Sequence, residues 1–243
     1  MRIFLLTLIF SLFLVSCGQD KQEKNTTATQ SNQTNVVEQT SDVSSTSQNA
    51  EGEYKLGVDY FELPTPYPTE NESQVVVYEF FGYTCPHCFH FEPFLNKWLA
   101  SKPNYADLQR VPLNFHPSWS IFQQAYLTAQ TMGLVDKTHS QLFKALHEDH
   151  KRFQTIDELA AWYEDETGVD KDAFLSTAES FILDAAQRKA DNTGFKMQIS
   201  GTPSLVVNGK YKVSNKIKDK NKTIKVLNYL VEKEAASMGL VSR

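Results

Sequence analysis

Residues 75–81, Val-Val-Val-Tyr-Glu-Phe-Phe, constrain the fold more than any other stretch of the chain. β-Branched and aromatic residues follow one another without the polar alternation of a strand that has one wet face. Such a run is a strand buried on both faces, and it needs other structure packed above and below its sheet. Gly82-Tyr83-Thr84 breaks it. From Pro86 the pattern turns helical, with Phe89, Leu95 and Trp98 on the apolar side, and it ends near Lys102-Pro103. Proline is favoured in a first helical turn, where its missing N–H is not needed. Strand and helix therefore meet at Cys85-Pro86-His87-Cys88, with Cys85 at the helix N-terminus and Cys88 one turn inside.

The rest of the chain supplies the other layers. A second strand is expected at 108–115, although Pro112 within it removes a ladder donor and sits badly in a central strand. A long helical region, 117–194, follows. One helix carries Phe122, Tyr126, Ala129 and Met132, another opens at the capping box Thr155-Ile156-Asp157-Glu158, and a longer, bent one follows Asp170. Ser204–Val207 and Lys210–Val213 flank Asn208-Gly209, a favoured dipeptide for a hairpin turn. A last helix spans 222–235, with Leu227, Leu230 and Val231 facing inward.

The N-terminus points to a compartment. Arg2 precedes an apolar run, residues 3–15, broken only by Thr7 and Ser11. The run is shorter than the roughly 18 residues of a membrane-spanning helix and reads as a secretory signal. It ends in Leu14-Val15-Ser16-Cys17, which resembles the lipobox of bacterial lipoproteins. That resemblance implies a signal peptide over 1–16, cleavage before Cys17, and acylation of the Cys17 thiol. Residues 18–50 are rich in Ser, Thr, Asn and Gln, lack aromatics, and hold only Val36, Val37 and Val43 as large aliphatics. They bury too little apolar surface to offset ordering entropy, so 17–51 reads as a lipidated tether. The remaining stretch, about 190 residues, suits one domain or a domain with a large insertion. A net charge of −5 argues against a nucleic-acid partner.

With Cys17 lipidated, only Cys85 and Cys88 remain of the three cysteines. In an exported protein a disulfide between them can persist. As a structural staple it would do little, because so short a loop removes little unfolded-state entropy. A structural zinc site normally takes four ligands, and there is neither a second cysteine pair nor a His-x3–5-His pair at zinc-finger distance. His147 and His150 are three apart and read as a solvated helix face. The preferred reading is a redox dithiol.

Strand, helix, strand, helical block, hairpin and helix make a thioredoxin-like order with an all-helical insertion. The chain resembles the DsbA family of periplasmic thiol oxidases, and in its tether the lipoprotein members of that family. The resemblance rests on Cys85-Pro86-His87-Cys88, on Gly201-Thr202-Pro203 before the hairpin, on Asn208-Gly209-Lys210-Tyr211, and on Glu79 six residues before the first cysteine. It implies an α/β thioredoxin fold in two parts, 52–116 and 195–243, with a helical insertion at 117–194. It implies a cis Thr202–Pro203 bond facing the dithiol and contacting an extended substrate segment. Glu79 would be a buried acid that shuttles the proton of Cys88, its bland alternative being a carboxylate paired with a surface lysine. No cofactor or metal is expected. The implied partners are reduced exported polypeptides, a DsbB-like quinone-linked membrane protein, and a membrane reached through the lipid.

Chemistry supports that reading. The nucleophile in disulfide exchange is a thiolate. Cys85 is offered unpaired N–H groups and the positive end of a helix dipole, and His87 can add a hydrogen bond or a cationic charge. A thiol pKa about three units below pH 7 would stabilise the reduced form by roughly 4 kcal/mol, or about 90 mV towards oxidising power. His90, one turn beyond His87, reads as a surface residue. The lysines at 210, 212, 216, 218, 220, 222 and 225 read as a solvated edge that discourages strand pairing, with attraction to anionic lipid as the sharper alternative. A metal-binding lipoprotein using Cys85, Cys88 and His87 is a more distant alternative, and a thioredoxin-like reductase or isomerase a nearer one. The isomerase needs a dimerisation domain, which the polar 18–50 segment does not supply, so a monomer is expected.

Overall fold

The computed structural model describes residues 53–69 and 71–241. The expected signal peptide, Cys17 and the tether lie outside the described residues. In chain order the elements are β1 (Tyr60–Glu62), β2 (Val75–Phe81), α1 (Pro86–Ser101), β3 (Ala106–Pro112), a 3-10 turn (Pro117–Trp119), α2 (Ser120–Thr131), α3 (Val135–His147), α4 (Ile156–Thr167), α5 (Lys171–Ala178), α6 (Phe181–Lys196), β4 (Ser204–Val207), β5 (Tyr211–Val213) and α7 (Lys220–Ser237). The sheet order is β1-β5-β4-β2-β3, with β2 parallel to β3 and antiparallel to β4. This is a mixed α/β thioredoxin fold with helices α2–α6 inserted between β3 and β4. Among the described residues no helix is long and apolar enough to cross a membrane.

All seven residues of β2 are buried, Glu79 among them, as a run that is otherwise apolar requires. On one face Val75 and Val77 join Phe91, Leu95 and Trp98 of α1 and Val226, Leu227 and Leu230 of α7. On the other, Val76, Tyr78 and Phe80 meet Leu113, Met197 and Ile199. Phe81 and Tyr83, at the end of the strand, belong instead to the core of the inserted helices, with Phe122, Tyr126, Phe143 and Phe174. Cys85 and Cys88 belong to that same cluster. The dithiol thus lies where the end of the central strand runs into the helical insertion.

Local differences from the expected elements have local causes. The second strand covers 106–112 rather than 108–115, and Pro112 is its last residue on the sheet's outer edge. The N–H of Leu113 donates to the Phe81 carbonyl at 2.9 Å. Alternation along the strand therefore turns the nitrogen of Pro112 towards the open side, where a missing donor breaks no ladder bond. The single bent helix expected after Asp170 is two helices, α5 and α6. The first ends at Ala178 with Glu179 as its C-cap, and Ser180 caps the second, its Oγ accepting the N–H of Leu183. Helix α7 starts two residues before the expected position because Asp219 caps it, accepting the N–H of Asn221. Strand β1 was not anticipated; three residues beside a proline-rich stretch carry no readable period.

Two turns follow the sequence signals closely. Thr155 Oγ1 accepts the N–H of Glu158 at 3.2 Å, and the Glu158 carboxylate reaches back to the N–H of Gln154 rather than that of Thr155. At the hairpin, Asn208 and Gly209 have φ of 51° and 63°, the two positive values that a tight hairpin turn requires. A Cβ at Gly209 would lie 2.0 Å from the Tyr67 carbonyl oxygen, so no other residue fits there.

Candidate active site

The strand delivers the chain to the site through Gly82, Tyr83 and Thr84. Gly82 lets Trp119 lie against this turn; a Cβ there would come within 2.6 Å of the indole ring. The N–H of Cys85 donates to the Gly82 carbonyl at 3.1 Å, and Cys85, with extended φ and ψ, is the N-cap of α1. Pro86 occupies the first helical position, as expected. The first turn of α1 contains no acidic residue, so its positive end is left for the sulfur.

The two cysteines differ sharply. Both are free thiols, Cys85 7% and Cys88 1% exposed, so a partner can reach only Cys85. As a thiol, Cys85 donates to the Thr202 carbonyl at 3.4 Å and makes no capping bond to the helix. Ionisation changes those contacts. The Cys88 thiol is then the main donor to Cys85, with the Thr202 side chain and the N–H groups of Cys88 and His87 adding to it, and together these outweigh burial. The Cys85 thiol falls from 9.0 to about 5. At pH 7 this favours the dithiol by roughly 3 kcal/mol, or about 60 mV, somewhat less than the sequence-based figure. Cys88 moves far in the other direction, first through burial and then through its hydrogen bond to Cys85. One sulfur is a thiolate at neutral pH and the other holds its proton.

The other expected site residues fall into two groups. Thr202 and Pro203 lie beside the dithiol, and their peptide bond is cis. They line a groove of about 400 Å³ with His87, Phe91, Leu205 and Ile217. His87 is exposed. What it brings to Cys85 is its backbone N–H; among the described residues its ring makes no hydrogen bond to the sulfur. Glu79 lies deeper. It is 1% exposed, and it pairs with Arg110 of β3 through Nε at 2.9 Å, a buried partner rather than a surface lysine. His90 is exposed, as expected.

Sequence reading missed the network around Glu79. The Arg110 guanidinium also lies 3.7 Å from Glu92 of α1. Glu92 in turn accepts from His139 of α3 and from Asn96, at 2.9 and 2.8 Å. The far nitrogen of His139 meets the Tyr83 hydroxyl at 2.9 Å. Two buried carboxylates share one guanidinium, which leaves the cluster one charge short. Burial pushes Glu79 up to about 8 despite the Arg110 charge, with Glu92 adding to the rise. Glu92, buried too, is held below its usual value by His139 and Arg110, and burial keeps His139 neutral. The proton therefore resides on Glu79. Ligating atoms of Glu79, Glu92 and His139 lie within 4.8 Å of one another, but Arg110 already serves as their cation. His147 was also misread: its Nε2–H donates to the Tyr83 carbonyl at 2.7 Å and its ring stacks on Phe89.

These contacts describe a dithiol with a built-in asymmetry beside a groove, its turn linked through Tyr83 and His139 to a buried acid pair. The DSBA-like thioredoxin domain family matches residues 76–222. The chain belongs to the DsbA family of thiol:disulfide oxidoreductases. It is 39% identical over 184 residues to the thiol:disulfide interchange protein DsbA of Azotobacter vinelandii, covering 75% of this chain and 86% of that one. Against the Pseudomonas aeruginosa DsbA the figure is 36% over 186 residues, 76% of this chain and 88% of the relative. The crystal structure of P. aeruginosa DsbA superposes with a TM-score of 0.71, at 36% identity, over 76% of this chain and 96% of that one. The oxidoreductase DsbA from Xylella fastidiosa gives 0.69 at 34% identity, over 74% and 97%. The Cys85–Cys88 pair is consistent with the Cys-x-x-Cys active site of a thiol:disulfide interchange protein.

Proposed function

We propose that this chain is a periplasmic, lipid-anchored thiol:disulfide oxidase that gives its Cys85–Cys88 disulfide to newly exported proteins. The observation that carries the reading is the asymmetry of the dithiol, with Cys85 lowered to about 5 and Cys88 pushed far up. A stabilised dithiol is the product of donating a disulfide, so this asymmetry drives donation.

The reaction follows from it. A substrate thiolate attacks Cys85 Sγ, the enzyme's S–S bond breaks, and its electron pair leaves on Cys88, which takes up a proton. Glu79, protonated at neutral pH and buried in the same region of the fold, is the proposed source of that proton. A second substrate thiolate then attacks the substrate sulfur of the mixed disulfide and releases Cys85 as a thiolate. Two electrons have passed from substrate to enzyme. Thr202 and Pro203 are proposed to pair with the extended substrate segment in the groove. His87 acts through its N–H on the Cys85 thiolate.

Each turnover leaves a stabilised dithiol, so weak oxidants do not restore the disulfide, and a DsbB-like quinone-linked membrane protein is the proposed oxidant. Acylation at Cys17 is proposed to hold the enzyme at the membrane. Taken on its composition as a random coil, the proposed tether of about 33 residues would have a root-mean-square reach of roughly 30 Å, enough to meet both an embedded partner and exported chains. The test is trapping. The Cys88→Ala protein is expected to accumulate mixed disulfides through Cys85, and the Cys85→Ala protein to accumulate none. Trapping by the Cys85→Ala protein alone would reverse the assignment.

A further inference from the structure

The Cys85 turn is gripped from outside the thioredoxin-like sheet. Tyr83 lies two residues before Cys85, and two histidines of α3 reach it together. They are eight residues apart, about two helical turns, and so share a face. Glu92 is held as a carboxylate and can only accept, so His139 Nε2–H donates to it. The neutral ring then presents Nδ1 as an acceptor to the Tyr83 hydroxyl. His147 Nε2–H donates to the Tyr83 carbonyl at 2.7 Å. The His147 ring also stacks on Phe89, the residue after Cys88, with centroids 4.9 Å apart and planes 12° from parallel. One helix of the insertion therefore touches the chain on both sides of the dithiol.

Packing alone does not call for imidazoles here. The Tyr83 ring already meets Phe81, Tyr126 and Phe143 at centroid distances of 5.3, 6.2 and 4.9 Å. An apolar side chain at 147 would fill the same space and would not have a polar atom to satisfy. What His147 adds is a donor that fixes the Tyr83–Thr84 peptide plane, just ahead of the N-cap Cys85. We propose that His147, with His139 holding the tyrosine ring, is a positioning residue through which the helical insertion sets the reactivity of Cys85. The thiolate depends on several donors converging on one sulfur, and each is sensitive to placement. In the disulfide form a covalent bond holds the sulfur in place. A loosened turn thus weakens the dithiol more than the disulfide.

The proposal rests on reading Cys85–Cys88 as the redox centre, and the experiment separates the two. The wild-type, His147→Ala, His147→Met and His147→Gln proteins are equilibrated with glutathione, and Cys85 is titrated by thiolate absorbance in each. Loss of one hydrogen bond to the turn is expected to make the Ala and Met proteins up to about tenfold less oxidising, which is about 30 mV, with a raised Cys85 pKa. Gln can donate to the same carbonyl and is expected to return both quantities to within about threefold of wild type. Met keeps the ring's bulk without a donor, so it decides the matter if the Ala protein does not fold. An unchanged equilibrium and titration in the Met protein overturns the proposal, as does equal destabilisation of both redox forms. A wild-type protein that does not oxidise a dithiol peptide would instead defeat the oxidase reading.

Discussion

Glu79 and Glu234 are both buried, at 1% and 2% exposed, and their surroundings differ in charge. Glu234 accepts from Asn208 at 2.6 Å and from Lys210 at 2.8 Å. One acid meets one base, and Lys210 still reaches solvent. The pair pins the hairpin turn whose two residues carry positive φ. Glu79 shares a single buried guanidinium with Glu92, so one of the two acids keeps a proton. A balanced buried pair holds a loop in place, whereas an unbalanced one holds a proton, and in this fold the unbalanced one is linked to the reactive turn through His139 and Tyr83.

Removing the cation is the strongest way to break the comparison. Arg110→Met leaves Glu79 and Glu92 without their charge partner and is expected to cost about 3–5 kcal/mol in urea unfolding. A cost no larger than that of Lys210→Met would mean that the two sites are equivalent. Next comes the pH dependence. The Glu79 carboxyl is raised in the folded chain to about 8 from an ordinary 4.5. Its contribution to stability is fully present below pH 4.5 and is lost as pH rises through 8. Over that window stability should fall by about 1.4 kcal/mol per pH unit from this group. Unfolding measured at several pH values should show this slope removed in Glu79→Gln and kept in Glu234→Gln. The smallest effect belongs to Lys210→Met, which should cost about 1 kcal/mol or less because the lysine is partly solvated. It should leave the glutathione equilibrium unchanged, and a shifted equilibrium would extend the active site to the hairpin.

The same contrast explains what the sequence made legible. The central strand, helix α1, the Thr155 cap and the Asn208-Gly209 turn are local patterns, complete within a few residues, and all formed as read except that Glu158 reaches back to Gln154 rather than to Thr155. The Cys85–Cys88 spacing and the Thr202-Pro203 pair are local too, and the family resemblance supplied their meeting. Arg110 and Glu79 are 31 residues apart, His139 and Glu92 47, and His147 and Tyr83 64. Nothing in the local pattern pairs residues at such separations. His147 looked solvated because its helix is amphipathic and His150 lies nearby, yet it faces the active-site turn. One usable signal was present: Glu79 and Glu92 are both charges among apolar neighbours on elements that flank the dithiol, and buried acids need a cation. The break at Ser180 also had a signal, a serine ahead of a fresh apolar run, but no glycine or proline marked it.

The central claim is that the two sulfurs ionise far apart, and thiolate absorbance of the reduced protein measures this directly against the disulfide form as baseline. The stabilisation that Cys85 gives the dithiol is fully present above pH 9 and is lost as pH falls through about 5. The account predicts a single thiolate that titrates with a midpoint near 5, is fully formed at pH 7, and is joined by no second thiolate up to pH 9. Absence of any thiolate until pH 8 to 9, or two sulfurs titrating together, would contradict it.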